Sequence, residues 1–319
     1  MAVYTDLSDE ELAALLTRYD LGTPFAFKGI AEGITNTNFL LETDKGRYIL
    51  TVYERRFNRS ELPFFMDVME RLAVRGFPAP LPIRTTDGET ICEVRGKPCA
   101  FVSFLNGLSP RRPTPAQCRI AGEAMAAMHN ALEGFTGQRP NGLAPHAWAE
   151  LIVPNLGLAR ELRPGLDETA AADLADLARI WPKDLPRGVI HADLFPDNTL
   201  LMGDKLGGVI DFYFACTDFL AYDLAVALNA WCFEPRGMFN VTKGKAMIAG
   251  YESIRPLTPA EREALPTLSR GAAMRFFATR LHDWNEDTGD ALVQRKDPLE
   301  YADKLEFHRR ATSAADYGG

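Results

Sequence analysis

Apolar residues recur at helical spacing in some stretches of the chain and alternate in others. Ser8-Asp9-Glu10-Glu11 is a capping-box pattern, and Leu12, Leu15, Leu16 and Tyr19 follow it on one face, which predicts a short first helix. From Phe25 to Phe104 the texture changes to short apolar runs punctuated by Gly, Asn and Asp. Residues 39–41 and 48–53 predict two strands joined by a turn at Asp44-Lys45-Gly46. Residues 60–75 predict one helix, closed by Gly76 and then by Pro78 and Pro80. Two more apolar runs, 90–94 and 100–104, flank Arg95-Gly96-Lys97-Pro98 and predict a hairpin.

Residues 105–113 are rich in turn formers, and beyond them helical spacing dominates. Helices are expected over 116–132, 168–180, 219–233, 259–284 (as one helix or a broken one) and 298–310. Brief strands are expected at 189–190, 199–202 and 209–210, the last two about a turn at Gly203-Asp204-Lys205. The expected fold class is α/β of the α+β kind, in two lobes. Residues 1–104 make a small antiparallel β-sheet lobe with one inserted helix, 105–113 a hinge, and 114–319 a larger, mostly helical lobe.

Composition narrows the function classes. The chain has 319 residues, 46% hydrophobic and 24% charged, which is ordinary for a globular protein and excludes disordered and disulfide-scaffold classes. A net charge of -8 argues against a nucleic-acid binder, and an anionic substrate would need local positive charge or a metal to offset that field. The five cysteines are odd in number and form no C-x-x-C pair, so neither a disulfide framework nor a zinc site is indicated. No basic region followed by an apolar run opens the chain, and the most apolar stretch, 219–233, is broken by Asp223 and Asn229. A cytoplasmic protein without membrane partners is expected.

One stretch carries chemistry. Val189-Ile190-His191-Ala192-Asp193-Leu194-Phe195-Pro196-Asp197-Asn198 is followed, beyond the expected hairpin, by Ile210-Asp211-Phe212. Phosphoryl transfer from ATP needs one carboxylate to orient the attacking hydroxyl and hard oxygen ligands to hold Mg²⁺ against the phosphates. Asp193 fits the first role, Asn198 and Asp211 the second, and His191 that of a structural orienter. Asp and Asn also serve ordinary turns. The ordered set of H-x-D, four residues, Asn, a hairpin and an apolar strand ending in Asp is much more specific than any one member. Upstream, Gly29, Gly33, Asn36, Thr37 and Asn38 suit a turn whose backbone N–H groups approach phosphates, though Gly and Asn also make plain hairpins.

These residues resemble the catalytic core of the aminoglycoside phosphotransferase and choline kinase superfamily, relatives of the protein kinases, over nearly the whole chain. Ala192 stands where protein kinases have Arg, and Asp211-Phe212-Tyr213 lacks the Gly of D-F-G. Only about eight residues separate Asp211 from the next expected helix, which leaves no room for a long activation segment. A small-molecule hydroxyl is the implied acceptor. Residues 29–39 and 48–56 resemble the branch that phosphorylates the side-chain hydroxyl of L-homoserine on the path to threonine. Choline, an aminoglycoside or another amino alcohol is the alternative acceptor, and an inactive nucleotide-binding regulator is a rival from another class.

The resemblance also distributes further roles. Thr51 occupies the strand position that usually carries the phosphate-binding Lys, and Phe64 and Phe65 fall where its Glu partner belongs. Lys28, Arg55 and Arg56 remain as candidate phosphate cations. Phe104 and Leu105, within 101–107, are implied to line the adenine slot. Asp223 is expected to brace the catalytic loop, and His129 to be a satisfied core histidine. Asp218 is expected to cap the following helix or to meet a substrate ammonium. Arg275, Arg280 and Trp284 are candidates for the acceptor site, because a carboxylate is best held by Arg. Oligomeric state is not readable from the sequence.

Overall fold

The computed structural model describes residues 5–30, 36–54, 58–285 and 295–319. They fall into two compact units, 5–106 and 107–285 together with 295–319.

The first unit opens with α1 (Asp9–Leu16), where Ser8 and Glu11 exchange the two capping-box hydrogen bonds. A five-stranded antiparallel sheet follows, formed by β1 (Pro24–Ile30), β2 (Asn36–Thr43), β3 (Gly46–Tyr53), β4 (Cys92–Val94) and β5 (Lys97–Ser103), in the order β1-β2-β3-β5-β4. The helix α2 (Leu62–Val74) is inserted between β3 and β4. Alternation does its usual work: Phe39 and Leu41 of β2, Leu50 and Val52 of β3, and Phe101 of β5 share one core with Leu12, Leu15 and Tyr19. The β4–β5 turn is tighter than the sequence suggests. Arg95 (φ 50°) and Gly96 (φ 72°) alone make it, both left-handed as a two-residue hairpin requires, while Lys97 and Pro98 belong to β5.

The second unit contains α3 (Pro115–Ala131), α4 (Pro145–Ile152), α5 (Leu156–Leu162), α6 (Leu166–Ile180), α7 (Leu220–Trp231), α8 (Val241–Glu252), α9 (Pro259–Asn285) and α10 (Leu299–His308). Three small ladders stand among them: β6 (Arg187–Ile190) with β9 (Cys216–Phe219), β7 (Thr199–Met202) with β8 (Lys205–Val209), and β10 (Phe233–Glu234) with β11 (Met238–Phe239). Trp148, Ile152, Leu177, Phe277, Leu281, Tyr301 and Leu305 fill the core around α9. The helix α7 is apolar all round and correspondingly buried, with Asp223 and Asn229 fully enclosed.

Several elements differ from expectation. The helices α4, α5 and α8 and the strand β9 are additional, and Phe219 caps α7 from outside rather than opening it. The helix α9 runs unbroken through Pro266, which is buried with its neighbour Leu265. All five cysteines are buried and free. Among the described residues no helix is long and apolar enough to cross a membrane.

Candidate active site

The loop between β6 and β7 is defined by where its backbone groups go. Asp223, in the first turn of α7, accepts the N–H of His191 at Oδ2 (2.9 Å) and that of Ala192 at Oδ1 (2.8 Å). The N–H of Asp193 donates to Nδ1 of His191 (3.2 Å), so the imidazole carries its proton on Nε2 and donates it to the carbonyl of Ile210 (3.0 Å). The Trp231 indole N–H donates to the carbonyl of Leu194 (2.8 Å), and Arg275 donates to that of Ala192. Ala192 is held at φ 61°, a left-handed backbone that a side chain adopts only under such constraint. His191 thus ties the loop to the strand end that presents Asp211, and burial pushes its pKa down and keeps it neutral.

Asp193 and Asn198 meet across the loop. Asn198 Nδ2 donates to the Asp193 carbonyl (2.8 Å) and to its Oδ2 (3.2 Å), which leaves the amide Oδ1 of Asn198 for another partner. Asp211 follows β8 with φ 65° and ψ 58°, a turn that ends the strand and opens the short 3-10 turn Phe212–Phe214. Burial pushes the Asp193 carboxyl up to about 7; Arg275 opposes the rise and Asp211 adds to it. Burial, with the Asp197 charge behind it, pushes Asp211 up to about 6. Buried carboxyls held above their ordinary range by burial and by neighbouring acids are poised for a cation. Among the described residues no three His, Cys, Asp or Glu converge into a cage. One carboxylate and one amide oxygen suit instead a hard divalent ion that keeps phosphate and water in its remaining positions.

His129 is a core histidine with both nitrogens engaged, one on Asp223 (3.0 Å) and one on the Tyr251 hydroxyl (2.9 Å). Burial raises the pKa of Asp223, but hydrogen bonds led by that from His129 outweigh it and hold the carboxyl below its ordinary value.

The candidate acceptor residues lie as follows. Asp218 is buried in β9, accepts the Asn141 amide (2.8 Å) and the N–H of Phe219 (2.8 Å), and does not cap α7. Arg275 is 2% exposed, donates to Ala192, and stacks against Phe276 with its guanidinium 4.5 Å from the ring centre. Arg280 donates to Glu300 (2.7 Å) and to the Asp297 carbonyl (2.9 Å), over the ring of Tyr301. Trp284 is half-buried, and its carbonyl accepts from Arg295 (2.7 Å). Both arginines therefore brace protein groups.

In the first unit, Gly29 lies in β1 opposite Phe39, and Asn36, Thr37 and Asn38 open β2. Gly33, Arg55 and Arg56 lie outside the described residues. Thr51 faces Asn38 across the ladder and donates to its Oδ1 (2.8 Å), while Thr37 donates to Glu54 (2.8 Å). Among the described residues the buried Asn36 Oδ1 has no hydrogen-bond partner. Lys28 is exposed on β1. Phe104 and Leu105 are half-buried beyond β5, with the Arg47 guanidinium 4.3 Å over the Phe104 ring.

Sequence reasoning left out Lys296, an exposed cation beside Phe195 of the loop, because nothing in the spacing joins it to residues a hundred positions earlier.

Residues 26–257 match the phosphotransferase enzyme family (APH). The chain is 57% identical over 318 residues to a homoserine kinase of Phenylobacterium zucineum, covering all of this chain and 98% of that one. It is also 57% identical over 310 residues to a homoserine kinase of Caulobacter vibrioides, covering 97% and 98%. Among solved structures, an amicoumacin kinase in complex with AMP-PNP and Ca²⁺ shares the fold with a TM-score of 0.68 at 14% identity, covering 96% of this chain and 95% of that one.

Proposed function

The chain belongs to the phosphotransferase enzyme family, and from that premise we propose that it transfers the γ-phosphoryl group of ATP to the side-chain hydroxyl of L-homoserine, forming O-phospho-L-homoserine on the route to threonine. The observation that carries the reaction type is the clamped loop, in which Asp193 meets Asn198 while Asp211 is near enough to push its pKa up. The full-length likeness to relatives named homoserine kinases supports the acceptor.

In this reading the hydroxyl oxygen attacks the γ-phosphorus in line, and the bond from that phosphorus to the ADP oxygen breaks. The hydroxyl proton passes to the Asp193 carboxylate, whose pKa near 7 suits a group that must accept a proton and release it again. Asn198 and Asp211 would hold the divalent ion, Mg²⁺ in our proposal, which supplies neutralising charge to the phosphates when bound. His191 and Asp223 touch no reactant; they fix the loop on which Asp193 and Asn198 sit. Gly29, Gly33, Asn36, Thr37, Asn38 and Thr51 are proposed for the phosphates, and Phe104 and Leu105 for the base. Thr51, hydrogen-bonded to Asn38, brings no charge, so in this reading the phosphate cation is left to Lys28, Arg55 or Arg56.

The test is ADP release with Mg-ATP on L-homoserine against choline, kanamycin, L-serine and no acceptor. Selective turnover of L-homoserine is expected, and turnover of another alcohol alone would discard the acceptor. Asp193→Asn should lower kcat by about 10²–10⁴-fold, the range of general-base catalysis, with little change in melting temperature. Near-normal turnover in that variant would remove Asp193 from its role.

A further inference from the structure

If the acceptor is an amino acid, something must hold its carboxylate, and both arginines expected to do so are turned to protein groups, although among the described residues the buried Arg275 Nε has no hydrogen-bond partner. Arg275 is buried and turned to Ala192, and Arg280 is paired with Glu300. The described residues offer another cation at the same place. Lys296 is exposed, and its ammonium lies 5.7 Å from the ring centre of Phe195, two residues beyond Asp193 on the catalytic loop. One flank is tied through its main chain and the other through a side chain: the Asp297 carbonyl accepts from Arg280 (2.9 Å), and the Arg295 guanidinium donates to the Trp284 carbonyl (2.7 Å). Asp297 Oδ1 then accepts the Leu299 N–H (2.8 Å) at the start of α10, and Phe195 is itself packed on Phe276 of α9 with ring centres 5.0 Å apart. The lysine is therefore presented beside the loop on an exposed side chain, next to a main chain tied at Asp297.

We infer that Lys296 binds the carboxylate of the acceptor, placing the acceptor's hydroxyl at Asp193; the inference rests on the reading of the substrate as L-homoserine. Charge agrees with the geometry. Burial raises both Asp193 and Asp211, and Lys296 is a cation that opposes the rise at each, so its field reaches both ends of the transfer site. In a protein of net charge -8, with Asp193, Asp197 and Asp211 gathered at one site, an anionic substrate needs such a local cation. The arginines then acquire a different role: Arg275 positions the loop, and Arg280 positions the segment that carries Lys296.

The experiment compares kcat/KM for L-homoserine with that for 3-aminopropan-1-ol, the same amino alcohol without the carboxylate, in wild type, Lys296→Met and Lys296→Arg. The ratio of the two should fall about 10- to 100-fold in K296M, the worth of a hydrogen bond to a charged group, through KM for L-homoserine while KM for ATP holds. K296R should recover part of it. Because Lys296 is exposed, both variants should melt as the wild type does. An unchanged ratio in K296M overturns the inference alone. An equal fall on both acceptors also overturns it and moves Lys296 to the transferred phosphoryl group. A wild-type enzyme silent on L-homoserine overturns the substrate reading and this inference with it.

Discussion

Asp223 is the residue on which most of the candidate site depends, although it touches no reactant. Its two oxygens take the N–H groups of His191 and Ala192, and its Oδ2 also meets His129. Asp223→Ala strands two buried N–H groups and releases a left-handed Ala192, so we expect about 1–3 kcal/mol lost per unsatisfied donor and a fall in kcat beyond it. Asp223→Asn keeps one oxygen acceptor and should lie between. Urea midpoints and kcat read on the same preparations test this; a stable Asp223→Ala with normal kcat would show that the loop holds itself. At this scale Asp193, Asn198 and Asp211 were legible in the sequence, because a single short loop and hairpin bring them together. Asp223 was legible as a brace through its place after Asp211. Arg275 was singled out as a candidate for the acceptor's carboxylate; its burial and its bond to Ala192 come from α9 packing against the loop, which no local pattern records. Lys296 was invisible for the same reason.

Elements repeat the lesson with glycines. The helices α3 and α8 lie backbone to backbone, since a Cβ at Gly122 would collide with the Met247 carbonyl oxygen, and one at Gly250 with the Arg119 carbonyl oxygen. Those obstacles are main chain and cannot swing away. Gly122→Ala and Gly250→Ala should each cost about 1–3 kcal/mol as overpacking, against the gain that Ala brings to an open helix. Urea unfolding of each variant checks the sign: stabilisation by either would mean the helices separate freely. Gly250 also helps explain why α8 was missed. Val241, Thr242, Gly244 and Gly250 are poor helix formers; Gly250 is there because α3 leaves no room for a Cβ and Gly244 because the Tyr317 carbonyl leaves none, so tertiary packing outvotes propensity. By contrast α1, β2, β3 and α3 were legible because capping, alternation and period agree there. The strand β9 escaped because its four residues follow directly on the Asp211 turn and owe their form to pairing with β6.

At the scale of the whole molecule, the unit that holds the candidate catalytic loop is locked near its C-terminal end by a histidine that must stay neutral. His308, on α10, has Nε2 on Asn229 Oδ1 of α7 (2.9 Å) and Nδ1 on the Tyr317 hydroxyl (2.8 Å). The Asn229 oxygen only accepts, so Nε2 carries the proton and Nδ1 accepts from Tyr317. Burial, with Lys304 and Arg270 nearby, pushes His308 down to about 3. The folded pKa lies below the model-peptide value near 6.5, so the unfolded chain binds the proton more readily. This contribution is complete above about pH 6.5 and is lost as pH falls through the window toward 3. At pH 5 it amounts to about 2 kcal/mol less stability than at pH 7.5. His308→Gln keeps a donor and an acceptor but cannot titrate, so it should flatten the fall of the urea midpoint between pH 7.5 and 5, even if it starts from lower stability. An equal slope in both proteins would put the acid sensitivity elsewhere. Glu300 is no substitute, because its pairing with Lys304 and Arg280, working against burial, carries its carboxyl down to about 2 and its loss begins only below the ordinary range of a glutamate. His191, also pushed down by burial, adds to the fall, while Asp193 and Asp211, pushed up to about 7 and about 6, oppose it. These act alike in both proteins, so the difference in slope between His308→Gln and the wild type reads one buried imidazole, and through Asn229 the packing of α7, the helix whose Asp223 holds the loop.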